Sequence, residues 1–272
     1  MATEVVAPAK INLTLHVTGQ RADGYHLLDS LVIFAELGDR LRLSAADRMS
    51  LRVTGRFADG VPEDARNLVW RAAELAGARL SIGLDKELPH GAGIGGGSSD
   101  AAAVLRVFGG EDRAVELGAD VPVCLSDAPQ RMRGIGDALD RVPGVPALSL
   151  VLVNPGVHVP TPEVFRALTR KDNAAMGALP QGSSRAAFLS WLGAQRNDLE
   201  GPAIATAPVI RDALLALGGT ANCRLSRMSG SGATCFGIYD NDMAAREAAA
   251  RIAAAHPDWW VRATRSIGSA AA

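Results

Sequence analysis

The chain has 272 residues with 28 Lys and Arg against 29 Asp and Glu, a formal net charge of −1. That balance gives no electrostatic case for nucleic acid or an anionic membrane surface and points to small-molecule partners; the length suffices for one large or two moderate domains. The three cysteines, Cys124, Cys223 and Cys235, form no CxxC pair, so neither a zinc site nor a disulfide framework is expected and a reducing cytoplasm fits.

From the N-terminus, residues 4–17 alternate, with Ile11, Leu13, Leu15 and Val17 facing one way and Lys10, Asn12, Thr14 and His16 the other. The pattern predicts a strand with one polar face. A turn of Gly, Arg, Asp and Gly leads to Tyr25 and His26, then to an apolar strand through Leu31, Ile33 and Ala35; residues 39–57 continue as further strands. Residues 67–80 predict an amphipathic helix with Leu68, Ala72, Leu75 and Ala76 on one stripe, and 81–88 a short strand. No apolar run approaches the length of a membrane span, and the expectation is a soluble, cytoplasmic protein.

That short strand delivers the chain to LPHGAGIGGGSSDAAA, residues 88–103, in which Gly91, Gly93, Gly95, Gly96 and Gly97 precede a strongly helical continuation. Backbone without Cβ atoms can take positive φ and press its N–H groups on phosphate oxygens, while the helix that follows directs the positive end of its dipole to the same place. Ser98, Ser99 and Asp100 are expected to cap that helix. A flexible linker would lack such a continuation. GxxxxGK[ST] is absent, and GxGxxG through Gly91, Gly93 and Gly96 lacks the downstream acidic partner of a dinucleotide site.

After the loop helix, Asp120 stands between Gly118-Ala119 and an apolar VPVCL, an acid at the edge of a core. Residues 129–139 predict strand, glycine turn and strand. Pro and Gly near 147 mark a soft domain boundary before the apolar strand 148–153. Thr161 is expected to cap a helix that begins at Pro162 and carries Phe165, with polar loop over 171–185. Helices are expected over FLSWLGAQRNDLEGPAI and APVIRDALLALGG. A second glycine turn, Gly230-Ser231-Gly232, leads to a strand through Cys235, Gly237 and Tyr239, then a helix and a last strand. Helices and strands alternate in this half, an α+β sandwich by pattern.

Three stretches together, PAKINLTLHV, LPHGAGIGGGSSDAAA and MSGSGATCFGIY, resemble the GHMP kinase superfamily of small-molecule kinases in order and spacing. Within it the opening through DGYHLLDSL, the triple glycine, GADVPV and NPGVHVPTPEVF resemble the branch that phosphorylates a cytidine-diphosphate sugar alcohol on the non-mevalonate route to isoprenoid precursors. The resemblance implies a two-domain α+β fold, an N-terminal ribosomal-protein-S5-domain-2-like domain over 1–147 and a C-terminal ferredoxin-like α/β sandwich over 148–272, with the active site in the cleft between them. It implies ATP with Mg2+, metal ligands unassigned, and a monomer or weak homodimer.

Carried over residue by residue, Asp120 would accept the proton of the substrate 2-hydroxyl and Lys10 would fix the aspartate and the reacting oxygens. Gly91, Ala92, Gly93, Ile94, Gly95, Gly96, Gly97, Ser98 and Ser99 would cradle the ATP phosphates, with Asn67 and Lys86 near the adenine nucleotide. Asn12 and Thr161 fall on the substrate side. Tyr25 and Phe165 would sandwich the cytosine ring and His26 would read its polar edge. The chain departs from the family in a short 106–118 segment, where a helix is missing or shortened, and in His90, where an apolar residue is usual. Two other readings stay open: a sister kinase acting on homoserine or mevalonate, and a GHMP-like fold kept as a ligand-binding protein without catalysis.

Overall fold

The computed structural model describes residues 2–180, 182 and 184–268. The chain divides into two compact units: unit 1 comprises Met1–Lys10, Leu37–His90 and Gly95–Asp127, and unit 2 comprises Ile11–Glu36, Gly91–Ile94 and Ala128–Ala272. The boundary expected near 147 falls inside unit 2, just before a strand.

The polar face expected along the first strand is present but buried. Strand β1 spans Thr3–Asn12 and, after a break, β2 spans His16–Gln20. Lys10, Asn12, Thr14 and His16 are each at most 4% exposed. Side chains of that kind stay inside only when paired. Thr14, for instance, accepts from the Leu31 amide through its hydroxyl at 2.8 Å. The break leaves Leu15 to exchange backbone hydrogen bonds with Arg196 and Asp198 instead.

Strand β3 runs without interruption over His26–Ala45, joining two strands that the sequence separates. In unit 1 its second half pairs antiparallel with β5 (Leu80–Asp85), which pairs parallel with β4 (Ser50–Thr54). Helices α1 (Leu68–Leu75) and α2 (Gly96–Phe108) pack on each other in the same unit, and the small residues Ala72 and Ala73 on α1 and Ala101, Ala102 and Ala103 on α2 are all fully buried. Close backbone packing of this kind is what an alanine-rich face permits.

In unit 2 the first half of β3 pairs with β2 and with β6 (Gln130–Gly134), and β6 with β7 (Ala138–Arg141). A four-stranded antiparallel sheet, in the order β11-β8-β10-β9, is formed by β8 (Ser149–Asn154), β9 (Cys223–Met228), β10 (Cys235–Tyr239) and β11 (Trp260–Arg265). Its core gathers Val151, Val153, Met228, Cys235 and Tyr239 from the sheet with Ile210, Ala213 and Leu217 from α6 (Val209–Gly218) and Ala245, Ala248 and Ile252 from α7 (Asp242–Ala255).

Two expected helices take other forms. Residues 188–204 form α4 (Arg185–Gly193) and α5 (Glu200–Thr206) rather than one helix. Asn197 and Asp198 interrupt it: Asn197 Nδ2 donates to the carbonyls of Met228 and Gly230, and Asp198 Oδ2 accepts from the Val17 amide. These tertiary bonds outweigh the local helical preference. Helix α3 is Thr161–Arg166 with Pro160 at its cap position, so Thr161 lies within the helix and caps nothing. Its hydroxyl meets Ser231 Oγ at 2.7 Å instead.

Gly38 shows how tightly unit 1 is packed, because a Cβ there would lie 2.2 Å from the Ala7 carbonyl oxygen. Gly38→Ala is expected to destabilise the fold by ~1–3 kcal/mol in denaturant unfolding. At Gly83, where the nearest atom to an added Cβ is 3.7 Å away, the same change should cost less than about 1 kcal/mol.

Candidate active site

Strand β1 carries Lys10 into the interior of unit 1, and there its Nζ lies 2.7 Å from Asp120 Oδ2. The two exposures differ sharply, 4% for Lys10 and 44% for Asp120. Burying an ammonium is costly without a partner, so Asp120 holds Lys10 in place while keeping part of its own carboxylate open to solvent. A hydrogen-bond acceptor fixed by a buried cation and reachable from outside has the geometry a general base needs. The short 106–118 segment does not prevent the meeting. Helix α2 stops at Phe108, Gly109 and Gly110 turn the chain with φ of 91° and 93°, and a 3-10 turn over Glu111–Glu116 takes the place of a longer helix.

The glycine segment takes the backbone its composition demands. Gly91, Gly93 and Gly95 have φ of 54°, 73° and 63°, the left-handed region that residues with a Cβ rarely enter. Gly95 is the cap residue of α2, and no side chain caps the helix. Ser98, Ser99 and Asp100, expected as caps, lie inside it, because the glycines already supply the turn and the helix starts at Gly96. A helix start without a side-chain cap, opening from a run of glycines, is where an anion's oxygens can be received. In unit 1 the Lys10 stem fills the space beside Gly95, where an added Cβ would come within 3.2 Å of Lys10 Cβ.

Residues 91–94 pack within unit 2. The Gly93 carbonyl accepts from Ser229 Oγ at 2.9 Å and the Ala92 carbonyl from the Thr234 amide at 3.1 Å. A Cβ on Gly93 would lie 2.3 Å from the Ser229 carbonyl oxygen, so the second glycine turn, 229–234, fits only against bare backbone.

Two candidates for the nucleotide have their side chains engaged elsewhere in unit 1. Asn67 caps α1: Oδ1 accepts from the Val69 amide at 3.0 Å and Nδ2 donates to the Pro62 carbonyl at 2.8 Å. Lys86 is buried between Asp39 and Asp100, donating to Asp39 Oδ2 and, at 2.7 Å, to Asp100 Oδ2. Burial opposes the Lys86 charge, but the carboxylates of Asp100 and Asp39 outweigh it and raise its pKa. Burial also pushes the Asp100 carboxyl up to about 7, with Lys86 pulling against it and Asp39 adding to the rise. Asp39 had no signal in the sequence beyond its place in a strand, and Asp100 read as a cap.

On the substrate side of the expected site, in unit 2, His26 stacks on Phe165 with ring centroids 4.7 Å apart and an interplanar angle of 26°. Tyr25 stands 60% exposed in the preceding turn and does not form that stack. Burial and the Lys171 charge lower the His26 pKa, which favours the neutral ring, and its Nε2 is buried without a hydrogen-bond partner. Asn12 gives its Nδ2 to Ser30 Oγ at 2.8 Å and its amide to Ser229 Oγ at 3.1 Å, leaving Oδ1 buried and unpartnered. Unpaired buried polar atoms are rare and costly, and both of these lie on residues expected on the substrate side.

Cys124 and Cys235 are buried and Cys223 is half-buried. Burial pushes the Cys124 thiol up to about 12, which leaves no thiolate for chemistry. His90 lies exposed, edge-on to Phe57 at 6.2 Å. Among the described residues no group of three His, Cys, Asp or Glu side chains could hold a metal ion, and no helix is long and apolar enough to cross a membrane. The positive-φ glycines and the buried, unpartnered Ser99 Oγ at the start of α2 do suit a phosphate chain.

Family models for the GHMP kinases N terminal domain and the GHMP kinases C terminal match residues 67–126 and 175–258. The 4-diphosphocytidyl-2-C-methyl-D-erythritol kinase of Dinoroseobacter shibae is 55% identical over 266 residues, 95% of this chain and 93% of that protein. The one from a Jannaschia species is 54% identical over 94% of each chain. A crystal structure of 4-(cytidine 5'-diphospho)-2C-methyl-D-erythritol kinase superposes with a TM-score of 0.80 at 33% identity, covering 98% of this chain and all of that one. With the uncapped glycine helix start, the Lys10–Asp120 pair and the two-part α+β architecture in place, the chain belongs to the GHMP kinases, and among them to the 4-diphosphocytidyl-2-C-methyl-D-erythritol kinase family.

Proposed function

We propose that the protein transfers the γ-phosphoryl group of ATP to the 2-hydroxyl of 4-diphosphocytidyl-2-C-methyl-D-erythritol, a step of the non-mevalonate route to isoprenoid precursors. The ion pair of Lys10 and Asp120 at 2.7 Å carries the reading, because it supplies an acceptor for the hydroxyl proton and a cation beside it in one fixed arrangement. The substrate oxygen attacks the γ-phosphorus, the bond to the bridging oxygen breaks, the proton passes to Asp120 and ADP leaves. Lys10 Nζ orients the carboxylate and offers remaining N–H bonds to the reacting oxygens.

The backbone of residues 91–97, with Ser98 and Ser99, receives the phosphates, and Mg2+ supplies charge neutralisation on them when bound. Residues 1–147 then serve the nucleotide, and 148–272 form the second functional half. Phe165 offers a face for the cytosine, His26 and Asn12 offer the unpartnered atoms for its polar groups, and Tyr25 and Thr161 complete the substrate side. Asn67 stays near the nucleotide through the helix it caps. The protein works in the cytoplasm on a small molecule, as a monomer or weak homodimer. Homoserine and mevalonate have no ring to stack, so the aromatic pair favours the cytidine substrate over either.

Asp120→Asn is expected to lower kcat by about 10²–10⁴-fold with little change in KM for either substrate, read by coupled detection of ADP; near-normal turnover would remove Asp120 from the base role. Phe165→Ala should raise KM for the cytidine substrate by about tenfold, the worth of ~1.4 kcal/mol of base stacking, and leave KM for ATP unchanged. Equal effects on both KM values would place Phe165 outside the cytosine site.

A further inference from the structure

The glycine segment leaves β5 and enters α2, and a buried ionic cluster in unit 1 spans those two attachment points. On the strand side, Asp39 Oδ1 accepts the amides of Glu87 at 2.7 Å and Leu88 at 2.8 Å, which fixes the backbone just before the loop. Its Oδ2 accepts from Lys86. On the helix side Lys86 donates to Asp100 Oδ2 at 2.7 Å across 14 positions of sequence. Side chains of all three are no more than 4% exposed. A Cβ on Gly96, the first residue of α2, would lie 3.5 Å from both Lys86 Nζ and Asp39 Oδ2, so the cluster sits directly under the helix start.

Stability alone is a weak reason for such a cluster. Two buried carboxylates around one buried ammonium cost desolvation that apolar residues of the same volume would avoid, and fixed geometry is the return that buried ionic groups offer. The same contacts use two of the three Lys86 donors, and the residue is only 3% exposed.

We infer that Asp39, Lys86 and Asp100 form a brace that holds the two ends of the glycine loop at the spacing ATP requires, with Lys86 a positioning residue that acts on the nucleotide through the loop and not by contact. The inference rests on the reading of residues 91–97 as the phosphate site. If the brace sets loop geometry, breaking it from either end has the same consequence: Asp39→Asn keeps the shape but loses the anionic oxygen that accepts from Lys86, and Lys86→Met removes the bridge. A lysine that touched the nucleotide itself would instead be freed for it by Asp39→Asn.

The test measures the Kd of ATP by equilibrium titration and the KM of the cytidine substrate, on the full chain, with unfolding temperature as a check. Asp39→Asn and Lys86→Met should each weaken ATP by more than threefold, the double variant should be no worse than the poorer single, and KM for the cytidine substrate should stay within threefold. ATP binding within threefold of the parent in Asp39→Asn overturns the brace, as does an additive double variant or an equal loss for both substrates. Should Lys86→Met not fold, Asp39→Asn and Asp100→Asn decide by the same threshold. Gly95→Ala separates the two levels: if it leaves ATP binding intact, the phosphate site and the brace both fall; if it alone weakens ATP, only the brace falls.

Discussion

Bare backbone brought against other groups is the constraint on which the structure turns. Gly91, Gly93 and Gly95 hold positive φ in alternation, and each presses something a side chain would displace: the ring of His158 at Gly91, the Ser229 carbonyl at Gly93 and the Lys10 stem at Gly95. Once the loop is committed to that path, α2 starts at Gly96 with no side chain at its cap, and its first amides are left for a ligand. The Lys10 stem that lies along Gly95 ends in the ammonium that holds Asp120. The backbone at Gly95 and the Lys10–Asp120 pair are therefore set together within unit 1.

Buried charge is the second theme, and it is used in two ways. Among the described residues Lys10 pairs with one carboxylate, and that partner is half open to solvent. Lys86 has two partners, and all three groups are sealed. Charges buried in this way are held by one another rather than by water. The same residue type thus stands in two settings, beside a carboxylate open to solvent in one place and between two buried carboxylates in the other.

Much of this was legible in the sequence because it rests on local rules. Glycines at 91, 93 and 95 announce positive φ, alternation through residues 4–17 announces a strand with a polar face, and the three motif stretches announce the family. What escaped depends on partners distant in sequence. Asp39 joins Lys86 across 47 positions, with nothing local to mark it. Asn197 and Asp198 broke an expected helix because their partners lie on other elements, at Met228, Gly230 and Val17. Asp100 read as a cap because caps favour aspartate, yet the cap of α2 is Gly95 and the helix starts at Gly96. The resemblance implies Tyr25 and Phe165 on either side of a cytosine, and the ring that lies on Phe165 in the structure is His26.

The central claim is that these groups phosphorylate a cytidine-diphosphate sugar alcohol. The most direct measurement is ADP release by the purified protein with ATP and Mg2+ offered separately 4-diphosphocytidyl-2-C-methyl-D-erythritol, homoserine and mevalonate. The account predicts turnover with the first and background release with the other two. Equal or faster turnover with homoserine or mevalonate, or no turnover with any of the three, would contradict it.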